Sequence, residues 1–144
     1  MAGDLGTIIG AVRTAVTTLG FKASKEVFNF DVVPASIINK SYRIETRRLA
    51  STPILGNKAV TTDAIEIYVA YELKRDAAAA ADAALDDRET IENALVNSAT
   101  LGALAQRPIL LIDSEASATK YLENYLVSKT VFRCEYIRDL TPTV

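Results

Sequence analysis

Residues 63–76 read DAIEIYVAYELKRD, and this stretch decides the fold. Its odd-numbered positions from Ile65 to Leu73 are apolar, whereas its charged residues, apart from Asp63 and Arg75, occupy even-numbered positions. A period of two residues is typical of a β-strand with one face against a core and the other facing water. We therefore predict a strand from about Ala59 to Leu73, with its odd-numbered side chains buried.

Three further segments have the composition of strands. One runs from about Ile38 to Thr46, and the apolar run Ile109–Ile112 reads as a short buried strand. The third covers residues 124–138, where one parity is apolar and includes Cys134, which is expected to point inward as a small apolar side chain. The segment EASATKYLENYL, residues 115–126, fits either a short helix that begins at Ser114 or a loop.

Two segments have the helical period instead. From Asp4 to Leu19 the apolar residues fall on one stripe, and Gly20 follows in the usual C-terminal position. This helix is expected to pack on the sheet, with binding of a partner as the alternative. The second helix is alanine-rich; it begins after Asp76, a candidate N-cap, and either runs to about Gln106 or breaks near Gly102.

These elements predict an α+β fold. We expect a single domain over residues 1–144, with a mainly antiparallel or mixed sheet of about four strands. The N-terminal helix and a long central helix are expected to pack on that sheet. Residues 46–58, TRRLASTPILGNK, contain Pro53 and Gly56 and are predicted to form a projecting loop, and residues 141–144 a flexible tail.

The composition argues against most kinds of catalytic site. The chain has no histidine and one cysteine, so neither a Ser/His/Asp arrangement nor a common Cys/His zinc site can be assembled. It has no glycine-rich phosphate loop, and the carboxylates between Asp82 and Glu92 are expected on solvated helix faces rather than as a catalytic pair. The prediction is a protein that is not an enzyme and has no metal and no cofactor.

Charge and hydropathy limit the classes of partner that the chain is expected to bind. The net charge is −2 without blocks of like charge, so tight binding of nucleic acid is not expected. No apolar run approaches the length of a membrane span, and no basic leader precedes an apolar block, so we expect no membrane contact. A structural or interaction protein is the class that remains.

The order of elements resembles a known family. The amphipathic first helix is followed by FNFDVVPASIINKSYRIET (residues 28–46), the alternating strand DAIEIYVAYELKRD, a long helix and the closing strand YLVSKTVFRCEYIRD (residues 125–139). In this order they resemble the tail terminator, or tail completion, proteins of long-tailed bacteriophages, including the lambda-like minor tail protein of similar size. The resemblance covers nearly all of the chain, but it lies in patterns of helices and strands.

The resemblance implies a virion structural protein of the phage neck, assembled in the host cytoplasm. Such a protein forms a homo-oligomeric ring of six copies that caps the tail tube protein, ends tube polymerisation and offers a docking surface to the head connector or head-completion protein. DNA would pass through the central channel without specific binding. A head-closure or head-to-tail joining protein of the same neck is the alternative, and a small α+β binding domain or enzyme is a remoter one.

Polar residues around the first strand are the candidates for contacts between subunits or with the tube. In VPASIINKSYRIET, residues 33–46, the strand begins with a polar patch where a buried strand would avoid it. This patch is either a turn at the start of an edge strand or a subunit boundary, and the loop cations are either solvated charges or a contact surface. The candidate interface residues are Asn39, Lys40, Arg43, Arg47, Arg48 and Lys58.

Overall fold

A computed structural model of the chain describes residues 5–23, 39–54, 56–73, 77–104, 110–111, 119–122 and 125–140. The helices are α1 (Leu5–Thr18), α2 (Ala77–Val96) and α3 (Ala99–Leu104). The strands are β1 (Lys22–Ala23), β2 (Ser41–Pro53), β3 (Lys58–Glu72), β4 (Leu110–Leu111), β5 (Thr119–Leu122) and β6 (Tyr125–Asp139). The predicted α+β class is confirmed.

The sheet is built on three long strands. The central strand β3 is antiparallel to β2 on one side and to β6 on the other, and Ile65 lies opposite both Thr46 and Phe132. The short strands complete the edges: β1 pairs parallel with the start of β2, whereas β4 and β5 pair antiparallel with β6. The sheet is therefore mixed and mainly antiparallel, as the sequence predicts.

The helices pack on one face of this sheet, which we call the inner face. The buried stripe of α1 is formed by Ile8, Val12 and Val16. It belongs to one hydrophobic core, together with inner-face residues of the sheet and buried residues of α2 and α3. Burial of such aliphatic side chains contributes about 1.5–3 kcal/mol each before the conformational entropy is subtracted. The helix ends as expected, because Gly20 has a φ of +101°, which glycine adopts without strain.

The long strands follow the predicted alternation. On β3 the side chains of Ile65, Ile67 and Val69 are buried against the helices, and on β6 the even-numbered side chains from Leu126 to Tyr136 are buried in the same way. The prediction that Cys134 points inward is confirmed, because that residue is completely buried.

The prediction of a projecting loop over residues 46–58 is wrong. Strand β2 continues to Pro53 and β3 begins at Lys58, so most of the segment belongs to a β-hairpin whose register shifts once, between Arg48 and Ala50. Proline is tolerated there because β2 is an edge strand of the described sheet at that point. The N–H that proline lacks would have no strand to bond on the open side. Gly56 lies in the turn after β2 and has a φ of +79°.

The second helix ends earlier than predicted. Helix α2 stops at Val96, and the chain turns at Asn97 and Ser98 before α3 begins, so the break is not at Gly102. The Ser98 hydroxyl accepts a hydrogen bond from the Leu101 backbone N–H at 3.3 Å, which is the arrangement of an N-cap. The expected N-cap Asp76 and the expected tail 141–144 lie outside the described residues.

Candidate functional site

The polar patch before β2 forms a turn that fixes the start of the strand. The Asn39 side-chain oxygen accepts a hydrogen bond from the Glu72 backbone N–H at 3.0 Å, and the Lys40 N–H donates to the Ala70 carbonyl at 2.7 Å. Lys40 has a φ of +59°, and its ammonium group lies 3.7 Å from an oxygen of Asp87 on α2. The turn thus ties β2, β3 and α2 together.

The sheet face opposite the helices, which we call the outer face, carries a charged cluster. Glu66 lies at its centre, where its carboxylate accepts a hydrogen bond from the Tyr68 hydroxyl at 3.0 Å. Lys129 lies 3.3 Å and Arg47 3.8 Å from the same carboxylate. The guanidinium of Arg43 lies 4.4 Å from the centre of the Tyr68 ring, within the range of a cation–π contact.

This cluster corrects the expectation that the even-numbered face of β3 is wet. Glu66 is only 8% exposed, and Ala64 and Ala70 are completely buried. A central strand has neighbours on both sides, so the long side chains of Arg47 and Lys129 reach over its shorter ones. Partial burial and the hydrogen bond to Glu66 raise the pKa of Tyr68 to about 12.

A second polar cluster lies on the inner face. Asp63 is 1% exposed, and its carboxylate accepts hydrogen bonds from Arg48 Nε at 3.1 Å and from the Tyr136 hydroxyl at 2.5 Å. An Arg48 terminal nitrogen also lies 3.4 Å from the Tyr136 oxygen. A buried carboxylate is tolerated only when it is paired and hydrogen-bonded in this way.

The side chains of Tyr136 and Cys134 on the inner face have raised pKa values, so both stay protonated at neutral pH. Burial, followed by the hydrogen bond to Asp63, raises the pKa of Tyr136 to about 12. Burial raises the pKa of Cys134 to about 11, with Asp63 adding to the shift. A reactive cysteine requires the opposite change, because the thiolate is the nucleophile. The hydrogen bond that Arg48 donates to Asp63 raises the pKa of Arg48.

The end of β2 and the turn after it form an exposed surface of one charge. Residues 46–58, which we call the basic arm, contain Arg47, Arg48 and Lys58 and no carboxylate. The Arg47 side chain is 63% exposed. Two large apolar side chains, Leu49 and Ile54, are also about 40% exposed on this arm.

The solvent side of α2 has the opposite charge. The helix contains five carboxylates and one cation, Arg88. Its core side is formed by Ala84, Ile91 and Leu95, which are buried. The exposed residues that share the other side of the helix form what we call the acidic stripe: Asp82, Leu85, Asp86 and Glu89.

The six candidate residues do not form one patch. Asn39 and Lys40 lie in the turn before β2, where they bond to neighbouring elements of the same chain. Arg43 and Arg47 are on the outer face, Arg48 contacts Asp63 on the inner face, and Lys58 is exposed at the start of β3. Arg47 and Lys58 are therefore the candidates whose positions best suit contact with another molecule.

Sequence reasoning missed the polar side chains that hold the two clusters. Asp63 lies on the same parity as Ile65 and Ile67, so an acid on the apolar side of the strand was a visible signal of a buried pair. Glu66 gave no such signal, because its position on the polar parity is ordinary. The acidic stripe was expected as a solvated face, and its residues are exposed.

Among the described residues there is no group of three or more His, Cys, Asp or Glu side chains that could hold a metal ion. No helix in the described part of the chain is both long and apolar enough to cross a bilayer. A scan of protein-family models and a search of characterised proteins found no match to this chain.

Proposed function

We propose that this chain is a structural protein of a phage neck, and that its copies form a ring that caps the tail tube and ends tube polymerisation. The proposal rests on the likeness of the sequence pattern to tail terminator proteins, together with a fold of the expected α+β class. The ring would have six copies and would offer the head connector a docking surface. Its action is steric and involves no chemical turnover.

The exposed half of β2 is the observation that carries an assembly role. Every described residue from Glu45 to Ile54 is exposed, although β2 is one of the three long strands of the sheet. Only the first two residues of β2, Ser41 and Tyr42, pair with β1. Among the described strands, none pairs with that side of β2 beyond Tyr42. A long exposed edge strand is a template for intermolecular contact unless it is protected.

The arrangement of the described titratable groups supports a role without catalysis. The buried Cys134 and Tyr136 have raised pKa values, and the carboxylates of Asp63 and Glu66 each accept hydrogen bonds and lie beside cations. A cysteine or tyrosine that acts as a nucleophile requires a lowered pKa, and any catalytic group requires an open approach for a substrate.

The experiment is to produce virions in the phage that encodes the chain, with its gene deleted, and to measure the tails by electron microscopy. Tails of uncontrolled length are expected, because nothing would stop the tube from growing. Supplying the wild-type protein from a plasmid should restore a single length. Tails of normal length that join filled heads would overturn the proposal.

The same images test the alternative. Tails of correct length that fail to join filled heads would assign the chain to head closure or head-to-tail joining. The exposed arm suits either role, because both need a contact surface, so tail length is the measurement that separates them.

A further inference from the structure

The basic arm and the acidic stripe form a matched pair of surfaces on one chain. The arm has three cations and no carboxylate, whereas α2 has five carboxylates and one cation. Each surface also holds a large apolar side chain that is exposed: Leu49 at 39% on the arm and Leu85 at 48% in the stripe. An apolar centre within a charged rim is the usual anatomy of a protein interface.

The two surfaces do not satisfy each other within one chain. Arg48 contacts Asp63 and Arg47 contacts Glu66, both on β3. In the described part of the chain, no hydrogen bond or ion pair joins the stripe to the arm.

Their places in the fold explain this separation. On α2, Asp87 contacts Lys40 and Tyr71, so the helix covers the sheet near the start of β2 and the end of β3. The arm extends from Thr46 along the opposite half of the same strands. Within the described part of the chain the two surfaces lie apart, so a contact between an arm and a stripe would join two different molecules.

We propose that the basic arm of one copy binds the acidic stripe on α2 of the next copy. The occupant of the arm is therefore a second copy of this chain, selected by charge complementarity around Leu49 and Leu85. Because the two surfaces differ, the contact is heterologous and can repeat around a closed ring. This inference rests on the proposed function and supplies its subunit contact.

Two charge reversals test the contact. Arg47→Glu changes the arm, and Asp86→Lys changes the stripe on the solvent side of α2. Self-association of the wild type is measured by native mass spectrometry and light scattering at low ionic strength. Each variant is expected to weaken that association by about tenfold or more, because like charges then face each other. Raising the salt concentration should weaken wild-type association in the same direction.

Mixing the two variants gives the decisive result. In an assembly where the Arg47→Glu and Asp86→Lys chains alternate, the glutamate introduced on one arm would meet the lysine introduced on the next stripe. The contacts between these pairs would join a wild-type arm to a wild-type stripe. The equimolar mixture is therefore expected to assemble more tightly than either variant alone, with both chains in equal numbers.

Controls keep the test specific. Arg13→Glu makes the same charge change on an exposed position of α1, outside both surfaces, and should assemble as the wild type does. If Arg47→Glu is poorly folded by circular dichroism, Lys58→Glu at the exposed start of β3 replaces it.

Three outcomes would overturn the inference: a wild type that stays monomeric at low salt and high concentration, variants that assemble normally, or a mixture that fails to assemble. None of these bears on tail length. A wild type that controls tail length but assembles through other residues would refute this contact alone, whereas normal tails in the deletion phage would refute the proposed function.

Discussion

At the scale of single residues, hydrogen bonds from Arg48 and Tyr136 allow the inner face to hold the buried carboxylate of Asp63. Asp63 is opposite Arg48 across the β2–β3 pair and opposite Cys134 across the β3–β6 pair, so backbone register alone places a cation beside the acid. Tyr136 adds a second donor from β6. Removing one donor leaves a buried carboxylate oxygen with less compensation, which costs more than an average hydrogen bond contributes.

We predict that Tyr136→Phe lowers the free energy of unfolding by about 1–3 kcal/mol, because Asp63 loses the donor at 2.5 Å while remaining buried. Urea denaturation followed by circular dichroism measures the change. Tyr68→Phe is the matched control: Glu66 keeps Lys129 and Arg47 beside it, so a loss below about 1 kcal/mol is expected. Equal losses in the two variants would show that the cost does not depend on the cations each acid keeps, one beside Asp63 and two beside Glu66.

At the scale of elements, β2 is fixed at its start and exposed at its end. Asn39 and Lys40 hold the first residues of the strand against β3 and α2. Beyond Arg48 a register shift before Ala50 interrupts the ladder with β3, which increases the local twist and makes an edge less suitable for indiscriminate pairing. The strand entrance is therefore held by contacts within the chain, and the exposed arm is the longer surface that is available for contact.

We predict that Asn39→Ala lowers the free energy of unfolding by about 1–2 kcal/mol, because the Glu72 N–H loses its acceptor in a part-buried position. Thermal and urea unfolding measure the effect. Asn93→Ala on the exposed side of α2 replaces the same residue type where alanine favours the helix, so its change should stay within about 0.5 kcal/mol. An unchanged stability of Asn39→Ala would mean that water replaces the lost acceptor at no cost.

At the scale of the whole molecule, titratable hydroxyl and thiol groups are buried on both sides of one sheet. Helices cover the inner face, and long polar side chains cover the outer face. Tyr71 donates to Asp87 beneath α2 at 2.8 Å, and burial, followed by this bond, raises its pKa well above the usual range. Cys134, Tyr136 and Tyr68 have raised pKa values for the same main reason. In each case folding favours the protonated form.

We predict that the folded state loses stability as the pH rises from about 9 to about 12. A group whose pKa is raised by folding is fully stabilising below its unfolded pKa, and that contribution is lost as pH rises through the folded value. Here the unfolded chain releases protons from cysteine near 9 and tyrosine near 10, whereas Cys134 holds its proton to about 11 and Tyr136 to about 12. Urea midpoints measured across this range, with tyrosine absorbance, test the sign; a midpoint that rises would contradict it.

The sequence by itself determined which segments are helices or strands and which side of each is buried. The reason is that the spacing of apolar residues within one segment is enough to mark its buried side. The alternation around Ile65 and the parity of Cys134 are examples that the structure confirms. The full length of β2 was decided by tertiary structure: residues 46–53 lack a strong pattern of their own and are strand because residues 59–65 of β3 offer them a ladder. The same holds for Asp63, Glu66 and the basic arm, whose burial or exposure depends on which strands and helices lie beside them.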